Sequence, residues 1–293
     1  MSAGDELGRL ATEAHRPELG DLDLRSTGEL VALMNEADST VAAAVAGSAA
    51  ELAGAIDAIA ARLRLGGRLI YVGAGTSGRI AALDAEEVGP TFSVPAGQVV
   101  ALTTVADAAE DDAVAGSTAV SSADVEERDA VVAVSASGRT PYTLAAVLEA
   151  RSRGALTVAV VCVADSELAR ACEQVVTAEV GPELVAGSTR LKAGTAQKLI
   201  LNTISTVTMV RLGKTYGNLM VDVRAGNEKL RARARRAVEL VTRADPEAVD
   251  AALADADGVA KVAIVSLLLG VGADEARTRL ENAGGTLRGA LAS

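Results

Sequence analysis

The chain has 293 residues, 49% of them apolar but only 1% aromatic, and a formal net charge of −11. Such a length and apolar content suit one large domain or two smaller ones, with a core of Ala, Val, Leu and Ile, and they argue against wholesale disorder. The acidic balance, with no Lys/Arg-rich run, argues against a nucleic-acid-binding surface.

Two cysteines, Cys162 and Cys172, are too few for a disulfide framework, and neither has neighbours at metal-ligand spacing. Cys162 lies in an apolar run and reads as a small buried hydrophobe. The only histidine, His15, lies in a polar stretch and reads as a surface residue. The opening MSAGDELGRL has neither a basic n-region nor an apolar h-region. No apolar run approaches the ~18 residues that span a bilayer. The expectation is a cytoplasmic protein with no membrane partner.

Taken in chain order, the first 25 residues or so form a polar segment that wraps or dangles. Ser26 to about Leu65 is Ala-rich with helical periodicity. A short apolar run ending in glycines, GGRLIYVGAG (66–75), then opens an alternation of strand-like and helix-like stretches. Further strand-like runs are QVVALTTV (98–105), DAVVAVSAS (129–137), LTVAVVCVA (156–164) and QVVTAEV (174–180). Short buried strands separated by helices predict parallel βαβ units, an α/β fold with five parallel strands and helices on both faces. Beyond it, Asn227 to Arg243 reads as a charged amphipathic helix. Three short helices follow, each ending at glycine. That tail fits a small helical subdomain or a dimer-interface element. The chain thus divides into an N-terminal helical or extended segment (1–51), an α/β domain (52–218) and a C-terminal helical region (219–293).

Three polar clusters fall where a strand hands over to a helix. In Gly73-Ala74-Gly75-Thr76-Ser77-Gly78-Arg79, glycines admit close backbone approach and the opening N–H groups of a helix attract an anion. The run matches a dinucleotide fingerprint formally, but the acid expected about 20 residues further on is missing from Thr91 to Val100, so it reads as an anion loop. In Ser135-Ala136-Ser137-Gly138-Arg139-Thr140-Pro141, hydroxyls, a glycine and a helix start make a phosphate cradle, or a capped helix with Ser137 or Thr140 at its head. In Gly187-Ser188-Thr189-Arg190-Leu191-Lys192-Ala193-Gly194-Thr195, donors and cations open a long helix that runs to Arg211, as a binding loop or simply a polar helix start. The first two loops, at neighbouring strand ends, would face one crevice. Acid–base chemistry then falls to carboxylates. Periodicity does not single out Glu86, Glu87 or Glu110 among 39 acidic residues.

Those same stretches carry a family resemblance. YVGAGTSGRIAALDAEEVGPTF, VSASGRTPY, GSTRLKAGTAQKLILNTIST, GKTYGNLMVDVRAGNEKL and the C-terminal GADEARTRLENAGGTLRGAL resemble the N-acetylmuramic acid 6-phosphate etherases, within the wider sugar isomerase (SIS) domain group. The resemblance covers almost the whole chain. It implies a SIS fold with a C-terminal helical subdomain, a homodimer, a sugar-phosphate ligand, and a carbon–oxygen lyase that needs no metal or nucleotide. The family's catalytic glutamates fall on Glu87, in LDAEE, and Glu110, in AAEDD. Gly75, Thr76, Ser77, Ser135, Ser137, Thr140, Ser188, Thr189 and Lys192 stand as the substrate- and phosphate-binding residues. The stretch between Glu87 and AAEDD is several residues shorter than the family pattern, and VGPT replaces Cys-Pro-Pro-Thr. A non-catalytic SIS sugar-phosphate sensor is the alternative the same fold allows.

Overall fold

The computed structural model describes residues 11–104, 109–222 and 228–292. The first ten residues, Val105 of the second strand-like run, Ala108 of AAEDD and Asn227 lie outside the described residues. The chain forms two compact units, one of Met1–Glu86 with Gly97–Ser205 and one of Glu87–Ala96 with Thr206–Ser293.

In the first unit, single-turn 3-10 helices at Ala11–Glu13, Pro17–Leu19 and Leu22–Leu24 precede α1 (Thr27–Ser39), α2 (Val41–Ala46) and α3 (Ala49–Arg64). The Ser26 hydroxyl accepts from the Glu29 N–H while the Glu29 carboxylate accepts from the Ser26 N–H, and this reciprocal cap starts α1. The stretch of helical periodicity from Ser26 to about Leu65 is helical and forms three helices, parted at Thr40 and at Gly47–Ser48.

The expected five strands are all present: β1 (Leu69–Ala74), β2 (Val99–Thr104), β3 (Ala130–Ser135), β4 (Leu156–Val161) and β5 (Gln174–Thr177). They form one parallel sheet in the order β2-β1-β3-β4-β5. Every residue of β1, β3 and β4 is buried, as strands covered on both faces require. Between strands run α4 (Gly75–Phe92), α5 (Ala113–Ser122), α6 (Pro141–Ser152) and α7 (Glu167–Ala171), and α8 (Lys192–Arg211) follows β5. One face of the sheet packs Ile70, Val72 and Val131 against Val120 of α5 and Ala146 of α6. Ala133 and Ala159 pack with Val147 and Leu168. Cys162 is buried, as its apolar run implies, and burial pushes its thiol up to about 12.

The register of the central pair is fixed at its start. Asp129 accepts from the Arg68 backbone N–H at 2.8 Å and pairs with the Arg68 guanidinium at 2.6 Å, which sets Leu69 beside Ala130. At the other end of the pair, Gly73 lies beside both Val134 and Thr103. From β1 the chain moves outward to β2 and then returns to the opposite side of β1 as β3. This reversal makes the carboxyl ends of β1 and β3 the switch point of the sheet, where open α/β sheets leave a crevice.

The second unit holds a two-stranded antiparallel ribbon, β6 (Thr215–Tyr216) and β7 (Leu219–Met220), that the sequence pattern does not predict. Helices α9 (Glu228–Thr242), α10 (Pro246–Asp255), α11 (Ala260–Leu269), α12 (Ala273–Asn282) and α13 (Leu287–Ala292) follow, one more than expected. The apolar α11 forms the centre of this core, with Ile264 and Val265 packed among Val238, Val249, Leu280 and Leu287. Its single buried cation, Lys261, donates to Asp222 at 3.1 Å and to the Gly285 carbonyl at 2.6 Å, so the charge is compensated. Among the described residues no single helix is long and apolar enough to cross a membrane.

Candidate active site

The crevice at the switch point is a polar cavity of about 210 Å³. The end of β1 and start of α4 bring Ala74, Thr76 and Ser77; the turn after β3 brings Ser135, Ala136, Ser137 and Thr140; the segment after β2 brings Glu110; Thr189 and Glu13 complete the lining. Six of the hydroxyl residues named from the sequence therefore share one cavity with one of the two named glutamates.

Local chemistry fixes each wall. Ser135 Oγ accepts from the Gly138 N–H at 3.1 Å and lies 2.9 Å from Thr140 Oγ1, so the turn closes on itself around its hydroxyls. Ser137 Oγ accepts from the Arg139 N–H at 3.3 Å. Pro141 occupies the first position of α6, where a missing N–H costs nothing, and Thr140 stands at the head of the helix without a side-chain cap. The first turn of α4 and Thr140 at the head of α6 both line this cavity, and the partial positive charge of two helix starts favours an anion there. Ser77 Oγ is held on the buried Gln197 of α8 at 3.0 Å.

Glu110 is anchored through its backbone, whose carbonyl accepts from the Tyr142 N–H at 3.0 Å. Its side chain runs along Gly75, where a built Cβ would come within 2.1 Å of Oε1. Gly75 also has φ +53, a left-handed conformation that glycine adopts without penalty. Gly75 thus reaches the site as the bare backbone against which the carboxylate lies.

The third cluster divides. Thr189 lines the cavity, but Ser188 and Lys192 do not. The α8 helix start already has an anion: the buried Glu183 carboxylate, 1% exposed, accepts from the N–H groups of Lys192 and Ala193, each at 3.0 Å. The Lys192 ammonium donates to the Val180 carbonyl, and burial lowers its pKa while Glu183 works in the opposite direction. Lys192 belongs to a separate crevice of about 190 Å³ with Arg16, Glu36, Thr40 and Leu184. The helix starts that open on the cavity are those of α4 and α6.

Glu87 lies on the exposed side of α4, is counted with the second unit, and accepts a hydrogen bond from Thr91 Oγ1 through its carbonyl at 2.7 Å. Two acids carry no signal in the sequence. Glu183 finds its partners nine and ten residues later, and Glu13 sits in a polar N-terminal stretch with no periodic pattern. Among the described residues no group of three or more His, Cys, Asp or Glu is placed to hold a metal ion.

Residues 33–162 match the family model of the SIS domain, a stretch that holds β1 to β4 and the two hydroxyl-bearing turns at the switch point. An N-acetylmuramic acid 6-phosphate etherase of Rubrobacter xylanophilus is 58% identical across 98% of this chain and 97% of its own length. One from Streptomyces avermitilis is 53% identical across 98% and 95%. The chain belongs to the N-acetylmuramic acid 6-phosphate etherase family. Among solved structures, a phosphoheptose isomerase from Francisella tularensis superposes with a TM-score of 0.49 at 18% identity, over 64% of this chain and 100% of that one.

Proposed function

We propose that this protein cleaves the D-lactyl ether of N-acetylmuramic acid 6-phosphate, giving N-acetylglucosamine 6-phosphate and D-lactate in amino sugar recycling. The observation that carries the reading is the cavity itself, in which a carboxylate, Glu110, stands among hydroxyls and two helix starts suited to a phosphate. Family membership at 58% identity over nearly the whole chain supports the same substrate.

The chemistry follows from the poor leaving ability of an ether. In the open-chain sugar the C2 proton lies beside an aldehyde and becomes acidic. Glu110 takes that proton, the C2–C3 double bond forms, and the C3–O bond breaks. The departing lactate oxygen takes a proton from Glu87. Water then adds at C3 and returns a proton to Glu87, C2 regains its proton from Glu110, and the ring closes. Each proton-transfer role contributes roughly 10²–10⁴-fold. The Glu87 role rests on family resemblance. The phosphate binds among Thr76, Ser77, Ser135, Ser137 and Thr140, where the Thr76 and Ser137 hydroxyls and the N–H groups opening α4 donate without adding charge to an acidic protein. The protein works in the cytoplasm as a homodimer, to which the exposed Leu83 of α4 and Leu199 of α8 offer apolar surface. The test is release of D-lactate from the purified protein, with Glu87→Gln alongside. Wild type releases lactate and the variant falls by at least ~10²-fold. A variant as fast as wild type removes Glu87 from the mechanism. A wild type that binds the sugar phosphate without releasing lactate is a sensor.

A further inference from the structure

The etherase reaction has a step that neither Glu87 nor Glu110 performs. The sugar arrives as a closed hemiacetal, and C2 becomes acidic only after the ring has opened. Opening removes the C1 hydroxyl proton and delivers another to the ring oxygen.

The cavity holds a second carboxylate, that of Glu13. It ends the 3-10 turn Ala11–Glu13, and the residue before it is fixed: Thr12 is fully buried and its carbonyl accepts from the Gly187 N–H at 3.3 Å. The Glu13 side chain lies along Gly187, where a built Cβ would meet Oε2 at 2.5 Å and where φ is +74. Both cavity carboxylates are therefore seated against glycines of left-handed conformation, Glu110 on Gly75 and Glu13 on Gly187. The loop that carries Gly187 also carries Thr189 into the cavity.

A carboxylate in a site for an anionic ligand repels the phosphate unless it faces the neutral part of the sugar. There it meets donors in the ring hydroxyls and the acetamido N–H. Glu110 is engaged at C2, next to C1.

We propose that Glu13 is the general base that opens the sugar ring. It takes the proton of the C1 hydroxyl; the O–H pair becomes the C1=O bond as the bond from C1 to the ring oxygen breaks. The ring oxygen takes a proton from water, and the resulting hydroxide takes the proton held by Glu13, so no net charge is created. This assignment rests on the etherase reading.

The test compares wild type with Glu13→Gln and Glu13→Asp in two reactions. One is lactate release from N-acetylmuramic acid 6-phosphate, which needs ring opening. The other is hydration of the isolated open-chain unsaturated aldehyde 6-phosphate, which enters after it. With Glu13→Gln, lactate release falls about 10²-fold. Its rate also stops rising with enzyme concentration once uncatalysed ring opening limits the supply. Hydration stays within roughly threefold of wild type, and Glu13→Asp recovers part of the lactate release. Loss of both reactions in both variants, or of neither, overturns the proposal. If wild type hydrates nothing and releases no lactate, the etherase reading itself has failed and the Glu13 role falls with it. Retained hydration in a variant also certifies that it folds.

Discussion

Glu110→Gln is expected to reduce lactate release by about 10²–10⁴-fold with little change in KM. The substitution keeps the size of the side chain and its polarity but removes the basic carboxylate that accepts a proton from C2. The backbone anchor survives, because the Tyr142 N–H donates to the Glu110 main-chain carbonyl. The wall formed by Gly75 also remains, so the amide lies where the carboxylate did. Hydration of the unsaturated aldehyde should be lost as well, since the base that removes the C2 proton returns it in the second half of the reaction. Loss in both halves separates Glu110 from Glu13, whose removal is expected to spare hydration. A Glu110→Gln variant within roughly fivefold of wild type in lactate release would remove this residue from the C2 chemistry.

The second large effect is on stability. Asp84 of α4 is buried and collects three donors: the Tyr71 hydroxyl at 2.8 Å, Asn202 Nδ2 at 2.7 Å and Ser205 Oγ at 3.1 Å. Tyr71 is in the middle of β1, while Asn202 and Ser205 belong to α8, so one carboxylate ties two helices to that strand. Burial, and then the Asp84 charge beside it, pushes the Tyr71 phenol well above its ordinary pKa and keeps it a donor. Asp84→Ala leaves the buried Tyr71 hydroxyl without its acceptor, takes one from the half-buried Asn202 and from Ser205, and is expected to cost about 3–5 kcal/mol. Tyr71→Phe removes a single donor and should cost about 1 kcal/mol. Urea denaturation distinguishes them through the midpoint at unchanged slope. An Asp84→Ala midpoint close to that of wild type would show that the triad contributes nothing net.

The sheet is legible in the sequence because its strands are buried on both faces. LIYVGA, AVVAVS and LTVAVV are continuous apolar runs rich in β-branched residues, bounded by glycines and polar loops. The breaks at Thr40 and Gly47–Ser48 are not legible, because Ala-rich helix continues on both sides and the bend depends on packing. The ribbon at Thr215–Met220 is too short to leave a period-two pattern. In the site, hydroxyl loops betray themselves by position, since a strand followed by Gly, Ser and Thr at a helix start has few other uses. Carboxylates do not. Glu13 resembles any of 39 acids until the fold brings it beside Gly187. Ser188, Thr189 and Lys192 are neighbours in sequence, yet only Thr189 reaches the cavity, because Glu183 holds the α8 start and Lys192 turns to Val180.

Cleavage of the C3–O bond is the central claim, and water labelled with oxygen-18 tests it most directly. In labelled water the enzyme should release D-lactate whose ether oxygen remains unlabelled and produce N-acetylglucosamine 6-phosphate labelled at the C3 hydroxyl, because the C3–O bond is the one that breaks. Label in the lactate hydroxyl, with none at C3 of the sugar, would mean that the bond on the lactyl side is cut, and would contradict a base role for Glu110 at C2 and an acid role for Glu87 at the departing oxygen.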